Sequence, residues 1–315
     1  MKVTLSPRLE HSFVSVSMDT DVHVQVISDA PCEAIDPAVQ RALAWFDTVE
    51  RICTRFDRNS EVMQLLDRVG TPVRVSTLLF QVVDFALQLA EQTDGAFDPT
   101  IGASLEQLGF NVNYRTGEAI NSQLEARAAS FREVQLDAEK QTDLLRRPLV
   151  LDLNAVAKGL AIDLAAKELE AYPDACVEAG GDLYVRGRNA AGELWRVGIQ
   201  HPRVEGLLAH TLEVTDAAVC TSGDYERRSS GPGGESHILD GRTRASVKDL
   251  ISVTVVAPTA MAADGLSTAA MVLGREQGRR FLEDQGVGAW LIAADGTSLG
   301  VNPLTGVNPL TGVNP

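Results

Sequence analysis

An α+β fold is the class predicted by this 315-residue sequence, and three observations predict it. Apolar residues recur at helical spacing early in the chain. They alternate at strand spacing through much of the second half, and they never settle into the regular strand–helix repeat of a parallel sheet. A mixed, mostly antiparallel sheet with helices follows.

Taken in order, Phe13, Val14 and Val16 with Val22, Val24 and Val26 predict a hairpin of half-buried strands around Met18-Asp19-Thr20-Asp21. From Asp36, the spacing of Val39, Leu43, Phe46 and Val49 predicts a helix. A second helix starts at Ser76, with stripes through Leu78, Val82, Phe85, Leu89 and through Leu79, Val83, Ala86, Ala90. TDGAFDPTIG ends it, and the polar stretch at 111–130 leads to a strand-like run at 149–153, so a soft boundary between two lobes falls within 111–148. A helix over 154–169 follows, then short strands at 175–178, 183–188, 195–199 and 211–214. Ile251, Val253 and Val255 predict a strand with one apolar face, and 261–273 a last helix. From Val301 the chain reads VNPLTG, VNPLTG, VNP, too few and too short units for a solenoid. Residues 301–315 are therefore expected to be a flexible tail, and 1–300 a single unit.

Composition narrows the function. Twenty-eight Lys and Arg against 43 Asp and Glu give a net charge of −15, which opposes nucleic-acid binding because phosphate backbones are held by clustered cations. An anionic small molecule would need a local cation to reverse the field. Cys32, Cys53, Cys176 and Cys220 show no paired spacing that would mark a disulfide framework or zinc site. No apolar run reaches the roughly 18 residues of a membrane span. The first residues carry no secretory signal pattern, which favours a cytoplasmic location, or a periplasmic one if a signal has been removed.

The common signatures GxGxxG, GxxxxGK[ST] and HExxH do not occur. What remains are polar and Gly-rich segments at element ends. LDLNAVAKGLAID places Asp152 before a helix whose first turn offers N–H groups and a positive dipole end, with Lys158 adding a charge. The plainer reading makes Asp152 or Asn154 an N-cap and Lys158 a solvated surface residue. VEAGGDLYVRG brings backbone close to a ligand or to a neighbouring strand. Thr221, Ser222 and Asp224 could bind a ligand or form a turn. SHILD sets His237 beside Asp240, as a base or as a core histidine. Asp264 and Thr268, four apart on one helix face, could both reach a hard cation, or serve as a cap and a buried threonine.

These segments, in this order, resemble the ApbE family of FAD:protein FMN transferases. The likeness runs from about Phe13 to Gly300 through SMDT, TRFDRNSEV, TDGAFDPTIGASLEQLGF, LDLNAVAKGLAID, VEAGGDLYVRG, WRVGIQHP, VCTSGDYE, HILDGRT and VTVVAPTAMAADGLSTAAMVLG. The resemblance implies a T-fold-related α+β architecture with an FAD cleft between two lobes. It implies FAD contacts at Met18, Phe56, Ala96, Phe97, Asp98, Asp152, Lys158, His237 and Ile238. It further implies a magnesium ion held by the Ala155 carbonyl, Asp264 and Thr268. The implied activity is magnesium-dependent transfer of FMN from FAD to a Thr or Ser hydroxyl of an acceptor protein, releasing AMP. His237 is the expected base, with Asp240 as its orienter. The alternatives are an FAD pyrophosphatase yielding FMN and AMP, or a non-catalytic FAD-binding flavoprotein. The chain departs from the family pattern at Asp19, at Phe56, at Leu66, and in HILDGRTR, which lacks the usual proline and second glycine of that turn.

Overall fold

In the computed structural model, which describes residues 8–125, 129–226 and 234–302, the chain opens with a hairpin of β1 (Glu10–Ser17) and β2 (Thr20–Ile27). Ser17 pairs with Thr20, so only Met18 (φ 54°) and Asp19 (φ 63°) form the connection. A two-residue loop that follows the strand twist requires such left-handed residues. Thr20 and Asp21, expected in the turn, belong to β2. Helix α1 (Cys32–Cys53) starts a turn before Asp36, which places Pro37 in its second turn at the cost of one helical hydrogen bond. Then come α2 (Glu61–Gln64), β3 (Val73–Arg74) and α3 (Thr77–Gln92), whose cap is Ser76 accepting the Leu79 N–H at 3.2 Å. Helix α4 (Gly102–Gln107) precedes β4 (Val134–Asp137) and β5 (Thr142–Leu145), which form a small antiparallel sheet with β3.

The run at 149–153 is not a strand. Its Asp152 N–H bonds the Pro99 carbonyl at 2.7 Å and its Val150 carbonyl accepts the Gly102 N–H at 3.2 Å, so its backbone is satisfied by the TDGAFDPTIG loop rather than by a ladder. Buried apolar side chains gave it the look of a strand, but a buried extended segment needs only partners of some kind.

The remaining elements are α5 (Asn154–Glu168), β6 (Ala175–Ala179), β7 (Asp182–Arg186), β8 (Trp195–Gln200), β9 (Leu208–Val214), β10 (Ala217–Gly223), β11 (Leu239–Asp240), β12 (Ala245–Ser246), β13 (Leu250–Ala257), α6 (Ala260–Asp284), β14 (Gly288–Ala293) and β15 (Ser298–Val301). An eight-stranded antiparallel sheet runs β1-β2-β6-β7-β10-β13-β14-β15. Helices α1, α5 and α6 cover one face through a core that includes Val24, Phe46, Ile162, Val177, Val255 and Leu266. The β8–β9 hairpin covers the other with Trp195, Ile199, Leu212 and Val214. Strand β13 is consequently buried along its whole length, on both faces. The register also shifts between Leu250 and Ser252, so Leu250, not Ile251, joins Val253 and Val255 on the helical side.

Helix α6 runs past the expected end at residue 273. It breaks at Gly274 (φ 77°) and restarts because the Asp249 carboxylate accepts the Arg275 N–H at 2.6 Å. Its first half crosses α5 closely: a Cβ on Gly159 would lie 2.4 Å from the Ala260 carbonyl oxygen. Asp163 of α5 accepts the Ala260 and Met261 N–H groups at 2.7 and 2.9 Å, tying the two helices together. Burial pushes the Asp163 carboxyl up to about 6, and the two amides only partly offset it. This crossing sets Lys158 beside Asp264.

Candidate active site

A cleft of about 1250 Å³ opens between the β1–β2 turn, the residues after α1, the 110–115 segment, and the facing ends of α5 and α6. It exceeds the roughly 300–1000 Å³ of a drug-sized ligand site, which suits a dinucleotide. Met18, Phe56, Phe97, Asp98, Asp152, Ala155, Lys158, His237, Ile238, Asp264 and Thr268 all line it. Ala96 and Asp240 are not among the lining residues. Ala96 is fully buried, and its carbonyl accepts the Gly241 N–H at 2.8 Å. Asp240, expected to orient His237, instead receives Arg242 Nε and Nη2 at 3.0 and 2.7 Å within the β11–β12 turn. Burial pulls its carboxyl up, but Arg242 prevails and holds it below the usual range.

At the upper wall, Arg55 donates from Nε to Asp152 Oδ2 at 2.6 Å and from Nη2 to the Phe110 carbonyl at 2.6 Å. Both side chains are under one-tenth exposed. The guanidinium also lies 4.2 Å from the centre of the Phe56 ring. Asp152 Oδ1 accepts the Asn154 N–H at 3.1 Å, so it satisfies the start of α5 while pairing with Arg55. The N-cap position itself is Leu153, so Asp152 acts from one residue before the cap, as a cleft residue that also accepts the first helical amide.

The facing wall is anchored in the same way. Asp98 Oδ1 accepts the Thr100 N–H and hydroxyl at 2.8 and 2.7 Å, and Arg244 Nη2 approaches Oδ2 at 3.3 Å. Burial raises the Asp98 carboxyl, with Thr100 and Arg244 pulling it back. Arg244 takes the left-handed conformation (φ 59°) and Gly241 N–H reaches the 93–98 loop. The HILDGRTR turn thus keeps a fixed position without the proline and glycine of the family pattern. It carries His237, whose ring meets Phe110 edge-on with centroids 6.2 Å apart.

The floor differs from both walls. The Lys158 ammonium binds the Asp182 carboxylate and stands 3.7 Å from Asp264 Oδ2, beyond hydrogen-bond length. Asp182 is held by the Thr221 N–H on Oδ1 at 2.8 Å and by its place just after the β6–β7 turn. There Gly180 (φ 59°) packs so tightly on the β1–β2 turn that a Cβ would sit 2.6 Å from Thr20 Oγ1. Asp264 is 6% exposed, and its Oδ2 has no hydrogen-bond partner. Burial raises its carboxyl, while Lys158 and the Gly159 N–H pull it down. Thr268, one turn beyond Asp264, shares its hydroxyl with Ser222 at 2.8 Å.

Lys158 was expected to offset substrate phosphates. Its charge is already claimed, since one ammonium faces two buried carboxylates and the floor carries a net negative charge. Among the described residues no group of three or more His, Cys, Asp or Glu could hold a metal by itself. A hard cation would fit as one carboxylate with an unused oxygen, a hydroxyl and a carbonyl, completed by substrate and water. Asp182 and Arg55 escaped the sequence reading, because their importance lies in partners 24 and 97 positions away. No helix of the described residues is long and apolar enough to cross a membrane.

Comparison with known proteins places this geometry. Residues 18–291 match the ApbE family. The FAD:protein FMN transferase of Klebsiella pneumoniae is 30% identical over 87% of this chain and 81% of its own length. That of Treponema pallidum is 31% identical over 91% and 85%. The crystal structure of the ApbE protein of Thermotoga maritima superposes with a TM-score of 0.82 at 28% identity, covering 93% of this chain and 97% of that one. The flavin transferase ApbE of Vibrio cholerae gives 0.81 at 27%, covering 94% and 98%. By sequence and by fold, the chain belongs to the ApbE family.

Proposed function

We propose that this chain transfers the FMN portion of FAD to a Thr or Ser hydroxyl of an acceptor protein and releases AMP, with a magnesium ion on the diphosphate. The observation that carries the reading is the cleft floor, where a buried carboxylate shares its one cation with Asp182 and keeps an oxygen without a hydrogen-bond partner, in a cavity of dinucleotide size. Asp264, Thr268 and the Ala155 carbonyl would hold the ion. When bound, it neutralises diphosphate charge and makes AMP an acceptable leaving group. The positive end of α5 faces the same space. Arg55 and Asp152 fix the start of that helix, and Phe56 presents an apolar ring to the ligand. His237, on its anchored turn, accepts the proton of the acceptor hydroxyl as that oxygen bonds to the FMN-side phosphorus. The bond from phosphorus to the AMP oxygen breaks, and the electron pair leaves with AMP.

The test is incubation with FAD, magnesium and a candidate acceptor, reading in-gel flavin fluorescence on the acceptor and AMP in solution. Label with AMP supports transfer. AMP alone identifies a pyrophosphatase, and neither product contradicts both enzymatic readings. His237→Asn should abolish the label while FAD still binds; unchanged labelling removes His237 from the mechanism.

A further inference from the structure

The Lys158 side chain has a flexible four-carbon stem and two buried carboxylates within reach. It pairs with one. Asp182 is the better-fixed partner, held by the Thr221 N–H and by the tight β6–β7 turn. Asp264 is left with Oδ2 unpartnered at 6% exposure, an arrangement that costs free energy unless something completes it. An ammonium that closed its present 3.7 Å separation by about 1 Å would hydrogen-bond Asp264 and occupy the point where a metal cation must approach. We infer that Asp182 is a positioning residue that captures the Lys158 ammonium and thereby reserves Asp264 for a divalent cation. This inference rests on the cation reading proposed above.

Charge explains the arrangement. With Lys158 held on Asp182, that pair is neutral and Asp264 keeps an oxygen open to an incoming ion. Once the ion is in place, repulsion keeps the ammonium where Asp182 already holds it. The floor then changes from net negative to net positive, the sign a diphosphate requires. Without Asp182, Lys158 and the metal compete for one carboxylate, and apparent affinity falls by the fraction of molecules in which the ammonium has won.

Manganese titration of the metal-free, FAD-free protein, by calorimetry or electron paramagnetic resonance, tests this without reference to turnover. Asp182→Asn should weaken manganese binding about tenfold or more, as expected if Lys158 occupies Asp264 in over about nine-tenths of molecules. A crystal structure of the metal-free variant should place Lys158 Nζ within about 3 Å of Asp264 Oδ2. In a Lys158→Met background the same change at Asp182 should leave affinity within about twofold, since no ammonium remains to compete. Equal losses in both backgrounds would mean that Asp182 acts by its own charge or as a ligand, and would overturn the inference. So would unchanged affinity in the first variant. If the unmodified protein binds no manganese, the cation reading itself falls and takes this inference with it. Thermal melting of each variant separates these outcomes from misfolding.

Discussion

The upper wall and the floor of the cleft each bury carboxylates beside a basic side chain, yet they are balanced differently. On the wall, Arg55 and Asp152 form a matched pair with further bonds to the Phe110 carbonyl and the Asn154 N–H. On the floor, one ammonium answers two carboxylates, and Asp264 keeps an unpartnered oxygen. A matched buried pair holds structure in place. An unmatched one is tolerated where a ligand supplies the missing charge, and removing its surplus member should cost function rather than stability.

Asp264→Ala sharpens that contrast most. Transfer should fall by about 10²–10³, the scale seen when one electrostatic contact of a transition state is lost, while the melting temperature holds or rises because a buried carboxylate that shares its cation with Asp182 is gone. A large loss of stability would place Asp264 with the wall. Arg55→Ala should do the reverse, destabilising by about 3–5 kcal/mol in denaturant melts because Asp152 is stranded. A neutral result would erase the distinction.

Another buried carboxylate bounds the comparison from outside the cleft. Asp143 on β5 has both oxygens buried and unpartnered. Burial first, then the charges of Glu61 and Asp84, push it up to about 7. A carboxyl raised in the folded state favours folding fully below its unfolded value of about 3.9, and that contribution is lost as pH rises through the folded value. Asp143→Asn should therefore leave stability unchanged near pH 4 and raise it near pH 8, by up to about 2–4 kcal/mol. A gain at acidic pH would reverse the sign and refute the assignment. Unlike Asp264, Asp143 is absent from the cleft lining, so transfer should be unaffected.

What could be read from the chain alone follows the range of the interactions. The hairpin around Met18 and Asp19, the helix beginning at Ser76 and the shared face of Asp264 and Thr268 depend on spacings of a few residues, and the sequence pattern exposes them to within a residue or two. The pairing of Lys158 with Asp182, or of Arg55 with Asp152, depends on which elements the fold brings together, and neither spacing hints at it. Lys158 looked like a phosphate ligand because its own neighbours carry no acid that reveals its partner. The run at 149–153 and the one-faced reading of β13 failed for a related reason: apolar periodicity reports burial, not which neighbour satisfies the backbone or covers the second face.

The central claim is that the cleft holds an anionic dinucleotide through a cation added to a floor whose one ammonium is already taken up by two carboxylates, despite a net charge of −15. FAD affinity, followed by flavin fluorescence with and without magnesium at low and high salt, tests this most directly. Chelation should weaken FAD binding by about tenfold or more, whereas raising salt from about 0.05 to 0.5 M with magnesium present should change it far less, because the buried contacts are poorly screened. Affinity that ignores chelation and follows salt would contradict the claim.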